Sequence, residues 1–243
     1  MPAIVSPRTC RHLPGSPGAL ERLQKRFELR QVQAKVAGHT IYLPELADPV
    51  AYINDRMHEE PGGSGDLPYW TRLWPAALVM AGLAAGLKPA AGADPDEPIL
   101  ELGAGMGLPG LAAAANGRRV MLSDFDDDAL EFARAAVEMN HLDGRVQVTA
   151  LDWTAPLPGL GRFHTILGAE ILYHAPLYPH LKKLLCGLLA PGGTVFISHA
   201  ERPFNISFFA MLDCDFELRS LERKVKDAEG ETKVLLHALG RRE

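Results

Sequence analysis

Short apolar runs and helical stretches alternate through most of this chain. Residues 98–102, 119–123, 145–151, 163–168, 193–199, 216–223 and 232–239 read as strands, each a brief apolar run bounded by turn residues. Between them, residues 109–116, 128–140, 177–189 and 204–213 return an apolar residue every three or four places, the spacing of one helix face. Upstream, Trp74 to Leu87 reads as an apolar helix with Pro75 in its first turn, followed by a breaker from Pro89 to Asp96. Leu20 to Arg30 reads as a short amphipathic helix. Leu29–Val36 and Thr40–Leu43 flank Gly38 as the arms of a hairpin, and Glu59 to Asp66 reads as a loop. Residues 1–18 are rich in Pro and Gly and are expected to be mobile.

Strands that alternate with helices build a mostly parallel sheet covered on both faces. The last two strands differ. Only Lys226 to Glu231 joins them, so they close as an antiparallel hairpin. The expected fold class is α/β: a seven-stranded, mostly parallel sheet with helices on both faces, one antiparallel edge strand and a C-terminal antiparallel β-hairpin. The expected organisation is an N-terminal extension over 1–66 and a main domain over 67–243. A two-halved dinucleotide fold needs a second βαβαβ half, and here a hairpin stands in that place.

The turn after the strand 98–102 carries the densest chemistry. Glu101 ends a buried strand, and Gly103, Gly105 and Gly107 precede an Ala-rich helix. Glycines are needed where backbone turns sharply and approaches a ligand closely. The helix start offers N–H groups and a positive dipole end to an anion. Gly105-Met106-Gly107-Leu108-Pro109-Gly110 also satisfies the dinucleotide pattern G-x-G-x-x-G, with Asp124 at the expected remove. Two details tilt the turn toward S-adenosylmethionine (SAM): the acid two residues before the first glycine, placed to face a methionine ammonium, and the extension to G-x-G-x-G. A dinucleotide site and a ligand-free tight turn stay open on this segment alone.

Composition narrows the setting. A chain of 243 residues, 47% hydrophobic, suits one domain with an appendage or two small ones. It holds no apolar run of 18 residues, so no membrane span is expected. Met1 to Pro17 lacks a continuous apolar stretch and does not read as a signal peptide. Cys10, Cys186 and Cys214 are odd in number and widely spaced, which fits a reduced, cytoplasmic setting and no metal site. The net charge of −5 is uneven: residues 1–36 carry +5 and the remainder −10. That basic start reads as a solvated helix or as an arm for an acidic partner. Neither membrane nor nucleic acid is an expected partner.

Four further groups could carry chemistry. Asp124 ends the strand Val120–Ser123, where ligands of open α/β sheets sit, and can accept from both ribose hydroxyls. Helix capping is the alternative, but Asp126, Asp127 and Asp128 stand ready for that, and Asp128-Ala129-Leu130-Glu131 fits a capping box. Asp152 and Trp153 end the third strand, where an aromatic plane could stack on adenine or simply pack in the core, and an acid could reach the adenine amino group. Glu170 and Tyr173 end the fourth strand, where a carboxylate could hold an amine acceptor or cap a turn. Trp74 could close over a cofactor or staple the core. The histidines His164, His174, His180 and His199 are scattered, and neither G-x-S-x-G nor G-x-x-x-x-G-K-[ST] occurs.

Taken together, Leu73-Trp74-Pro75-Ala76-Ala77, Leu100 to Gly110, Ser123-Asp124, Leu151-Asp152-Trp153 and Ile166 to Tyr173 resemble the seven-β-strand protein lysine methyltransferases, the group called methyltransferase family 16. Phe204 to Asp213 resembles that family's last helix, and the likeness covers 69 to about 239. It implies a Rossmann-like class I SAM-dependent methyltransferase domain, with SAM as cofactor and a protein side-chain nitrogen, lysine first, as acceptor. It implies SAM contacts at Trp74, Gly103, Ala104, Gly105, Asp124, Trp153 and Ala169, beside Glu101. The family's usual acceptor motif is Asp-x-x-Tyr. Here it is Glu170-Ile171-Leu172-Tyr173, closer to the family's protein-histidine branch, and His164 stands where an Asp is common. A histidine or a small molecule as acceptor stays open, as does a SAM-binding or nucleotide-binding module without catalysis. Residues 1–60 carry no resemblance.

Overall fold

The computed structural model describes residues 18–59, 68–90, 92–156, 159–202, 205–227 and 230–242. The expected mobile start (1–18) and the expected loop (59–66) lie outside these residues, apart from Gly18 and Glu59. The N-terminal part holds α1 (Ala19–Arg26), a hairpin of β1 (Leu29–Val36) and β2 (His39–Leu46), and α2 (Pro49–Glu59). A short 3-10 turn, Tyr69–Thr71, leads to α3 (Pro75–Ala84). Then follow β3 (Ile99–Leu102), α4 (Leu108–Ala115), β4 (Val120–Asp124), α5 (Asp127–Met139), β5 (Val146–Ala150) and β6 (Phe163–Ala169). The remainder is α6 (Tyr178–Leu188), β7 (Leu189–Ala200), α7 (Asn205–Leu212), β8 (Phe216–Asp227) and β9 (Gly230–Arg241).

The sheet has seven strands in the order β5-β4-β3-β6-β7-β9-β8. Strands β3 to β7 run parallel, and β9 runs antiparallel to both neighbours. One expectation is corrected here: the antiparallel strand is not at the edge. Burial explains the placement. Val234, Leu236 and Leu239 of β9 are buried, whereas Glu217 to Lys224 of β8 are exposed, so the more apolar arm takes the interior place.

Alternate residues of the parallel strands feed two cores. Ile99, Val120 and Leu122 pack with α3, α4 and α5, and Leu100, Leu102 and Ile166 pack with α6 and α7 on the other face. The first core also takes in Leu23, Ile41 and Leu43 of the N-terminal part. That part is fastened across α5. Asn140 accepts the Tyr42 N–H at 2.8 Å and donates to its carbonyl at 2.6 Å. Arg22 pairs with Glu131 at 2.9 Å and Arg26 with Asp128 at 2.6 Å, so part of the basic start meets acids of its own chain.

Local chemistry moved three boundaries. α1 stops at Arg26, not Arg30, because Phe27 is already extended and β1 claims Leu29. α2 was not anticipated; Asp48 starts it by accepting the Ala51 N–H at 2.9 Å, with Pro49 in the first turn. The cap of α5 is Asp126, whose carboxylate takes the N–H groups of Asp128 and Ala129, rather than a capping box begun at Asp128.

Candidate active site

β3 sits between β4 and β6: the chain lays β4 and β5 to one side of it and β6 and β7 to the other, and this reversal of strand order opens a crevice at the strands' carboxyl ends. A cavity of about 360 Å³ lies there. Trp74, Glu101, Gly103, Ala104, Gly105, Asp124, Trp153, Ala169, Glu170 and Tyr173 all line it. Asp152 does not line it. It is exposed, and one carboxylate oxygen accepts the N–H and hydroxyl of Thr154, both at 2.7 Å.

The glycine turn is built around two buried carboxylates. Glu101, 1% exposed, accepts the Gly110 N–H at 2.6 Å, which ties the end of β3 to α4. A Cβ on Gly110 would come within 2.4 Å of Leu122 and 2.6 Å of the Glu101 carboxylate, so close packing demands glycine there. Asp124 accepts N–H groups from Gly105 at 2.9 Å, Phe125 at 2.8 Å and Asp126 at 3.2 Å. Gly105 itself has a φ of +51°, a region that side-chain-bearing residues avoid. Burial pushes the Glu101 carboxyl up to about 8 against the pull of the Gly110 N–H, and the neighbouring Asp124 charge adds to the rise. Burial likewise raises Asp124 to about 6, opposed by its three N–H donors.

The opposite wall is aromatic. Trp74 starts α3 and donates its indole N–H to the Tyr69 carbonyl at 2.6 Å, while the Arg72 guanidinium lies 4.5 Å from its ring centroid. Tyr69 and Tyr173 pack with ring centroids 4.7 Å apart and planes tilted by 42°. Glu170 has a φ of +56°, unusual outside glycine, and is buried. One carboxylate oxygen accepts the Ala200 N–H at 2.6 Å, and the other pairs with Arg202 at 2.9 Å. Glu170 therefore ties the end of β6 to the end of β7 while facing the cavity.

Sequence reasoning missed several lining residues. Trp70 packs on Tyr52 and Phe132, lines the cavity and keeps a buried indole N–H without a partner among the described residues. Phe125, 54% exposed, follows Asp124 into the cavity wall; an aromatic directly after a strand-end acid was the available signal. Ile53, Arg56 and Met57 of α2 complete one side, and no local motif marks them. His164 lies away from this site, bonded to Glu97 at 2.6 Å. Among the described residues no group of three or more His, Cys, Asp or Glu could hold a metal ion, and no helix is long and apolar enough to cross a membrane.

Comparison with known proteins gives the chain's family. Residues 67–214 match the model of a family described as lysine methyltransferase. The chain is 34% identical over 130 residues to EEF1A lysine methyltransferase 3 of Mus musculus, covering 51% of this chain and 56% of that one. It is 37% identical over 173 residues to the histone-arginine methyltransferase METTL23 of Xenopus laevis, covering 67% and 71%. The chain spans about half the length of several curated relatives it matches. The solved structure of P. horikoshii TYW2 in complex with MeSAdo superimposes with a TM-score of 0.52 at 17% identity, covering 86% of this chain and 70% of that one, a likeness of fold.

Proposed function

Because the chain belongs to the lysine methyltransferase family, we propose that it transfers a methyl group from SAM to a side-chain nitrogen of a protein, lysine first among the acceptors. The observation that carries this reading is the meeting of Glu101, Asp124, Trp153 and Glu170 around one cavity at the point where the strand order reverses. Its volume of about 360 Å³ falls in the range of small-molecule sites. Two buried carboxylates at one end suit a polar, partly cationic ligand.

In this reading Asp124 takes the ribose hydroxyls and Trp153 offers its face to adenine. Glu101 and the Gly103–Gly105 backbone hold the methionine portion, with Trp74 and Ala169 closing the sides. The cofactor supplies a sulfonium methyl open to in-line attack by a neutral nitrogen. Catalysis by the chain is then mostly positioning in a site shielded from water. A free lysine amine holds its proton up to about pH 10.4, and an aromatic wall that strips water from it lowers that value. Tyr69, Trp74 and Tyr173 form such a wall. Glu170, fixed by Ala200 and Arg202, marks where the acceptor nitrogen is held.

A second reading keeps the reaction and changes the acceptor. Both oxygens of Glu170 are engaged, one of them by a guanidinium, so the acid offers an incoming ammonium little unshared charge. A neutral imidazole loses less on entering such a site. The deciding experiment incubates the protein with methyl-labelled SAM and a cell lysate, then maps the label to a residue. Label on lysine supports the first reading and label on histidine the second. Cofactor binding without labelled protein would overturn both in favour of a binding module. The cytoplasmic setting belongs to the same proposal and is supported by the widely spaced cysteines Cys10, Cys186 and Cys214.

A further inference from the structure

Helix α2 lies outside the segment that matches the family, yet it walls the cavity. It reaches the end where β4 delivers Asp124. Arg56 pairs with the second carboxylate oxygen of Asp126 at 2.8 Å, two residues past Asp124, and donates to the Tyr52 hydroxyl at 2.7 Å. Tyr52 in turn donates to Asp128 at 2.8 Å. These contacts fix α2 across the acidic start of α5. Asp126 is 5% exposed and already caps α5, so Arg56 supplies the partner its remaining oxygen requires.

With α2 held there, two large apolar side chains stand open at one cavity. Met57 is 60% exposed and Phe125 54% exposed, and Ile53 lines the same wall. Exposed apolar side chains that line a cavity are available to the flat apolar face of a ligand bound there. The ligand at this end is fixed by Asp124: the group beyond a ribose gripped by that acid is the base. Methionine side chains adapt to flat, polarisable rings.

We infer that α2 forms the outer wall of the adenine subsite, with Met57 and Ile53 covering the base beside Phe125 and Arg56 positioning the helix. This rests on the reading of the cavity as a SAM site and extends it to residues the family segment does not contain. The N-terminal part is then a component of cofactor recognition, not an appendage.

The test measures binding of S-adenosylhomocysteine to the full chain by calorimetry and its release by stopped flow, with thermal melting as the check on folding. Met57→Ala should weaken binding about tenfold, the loss expected for about half of a buried methionine side chain, while Met57→Leu restores it. Arg56→Ala should speed release without abolishing binding. Unchanged affinity in Met57→Ala, alongside weakened affinity in Asp124→Ala, would overturn the α2 assignment and leave the SAM reading intact. No binding by the parent protein would overturn both.

Discussion

Glu101 is held by two opposing influences. Burial keeps its carboxyl protonated up to about pH 8, although the Gly110 N–H points at it. A folded-state value above the usual 4.5 means that the unliganded protein loses stability as pH rises from about 4.5 to about 8, because the unfolded chain ionises first. A cationic ligand beside Glu101 favours the carboxylate, so SAM binding near pH 7 should release a proton. Calorimetry in buffers of different ionisation enthalpy reads that release, and Glu101→Gln should remove it. Glu170 belongs to the same scale. Glu170→Ala should keep SAM affinity and lose most methyl transfer, while Glu170→Asp keeps part, as binding titrations beside labelling assays would register. Glu101 and Asp124 were legible in the sequence because each ends an apolar run. The grip of Arg202 on Glu170 was not, because 32 residues separate them and only the β6–β7 pairing brings them together.

Between elements, contact distances set the outcome. α4 lies so close to β3 and β4 that a methyl group at Gly110 would strike Leu122, Val120 and Glu101. Gly110→Ala should therefore cost about 1–3 kcal/mol, the usual penalty for overpacking. Gly144→Ala, where a Cβ meets nothing within 4 Å, should leave the melting temperature nearly unchanged. Thermal denaturation of the two variants compares them directly. Most helices and strands beyond Pro98 were readable because they bury apolar residues at the spacing of their element, whereas β8 is exposed over 217–224. α2 was not, although Asp48-Pro49 spelled its start. Its Val50 and Met57 face outward, and it is held by Tyr52 and Arg56 on α5 rather than by an apolar stripe of its own.

Across the molecule, the sheet is completed by a buried polar chain. His199 of β7 and His237 of β9 meet through their Nε2 atoms at 2.9 Å, and Ser220 of β8 bonds the Nδ1 of His237 at 2.7 Å. Asn205 reaches His199 from α7, and Phe209 covers both rings. Burial, with His199 adding to it, depresses His237 to about 4, so the folded protein keeps it neutral while the unfolded chain protonates at about 6.5. Stability should then fall as the pH drops from about 6.5 to about 4. His237→Gln should flatten that slope in urea titrations run across the range.

β9, made after β8, pairs directly with β7 and separates it from β8. During synthesis the outer edge of β7 therefore stays bare until residues 230–241 have left the ribosome. Neighbouring nascent chains on one message would offer each other that edge, a ready template for intermolecular pairing. A stop codon just ahead of Gly230 should thus yield inclusion bodies rather than a weakened enzyme.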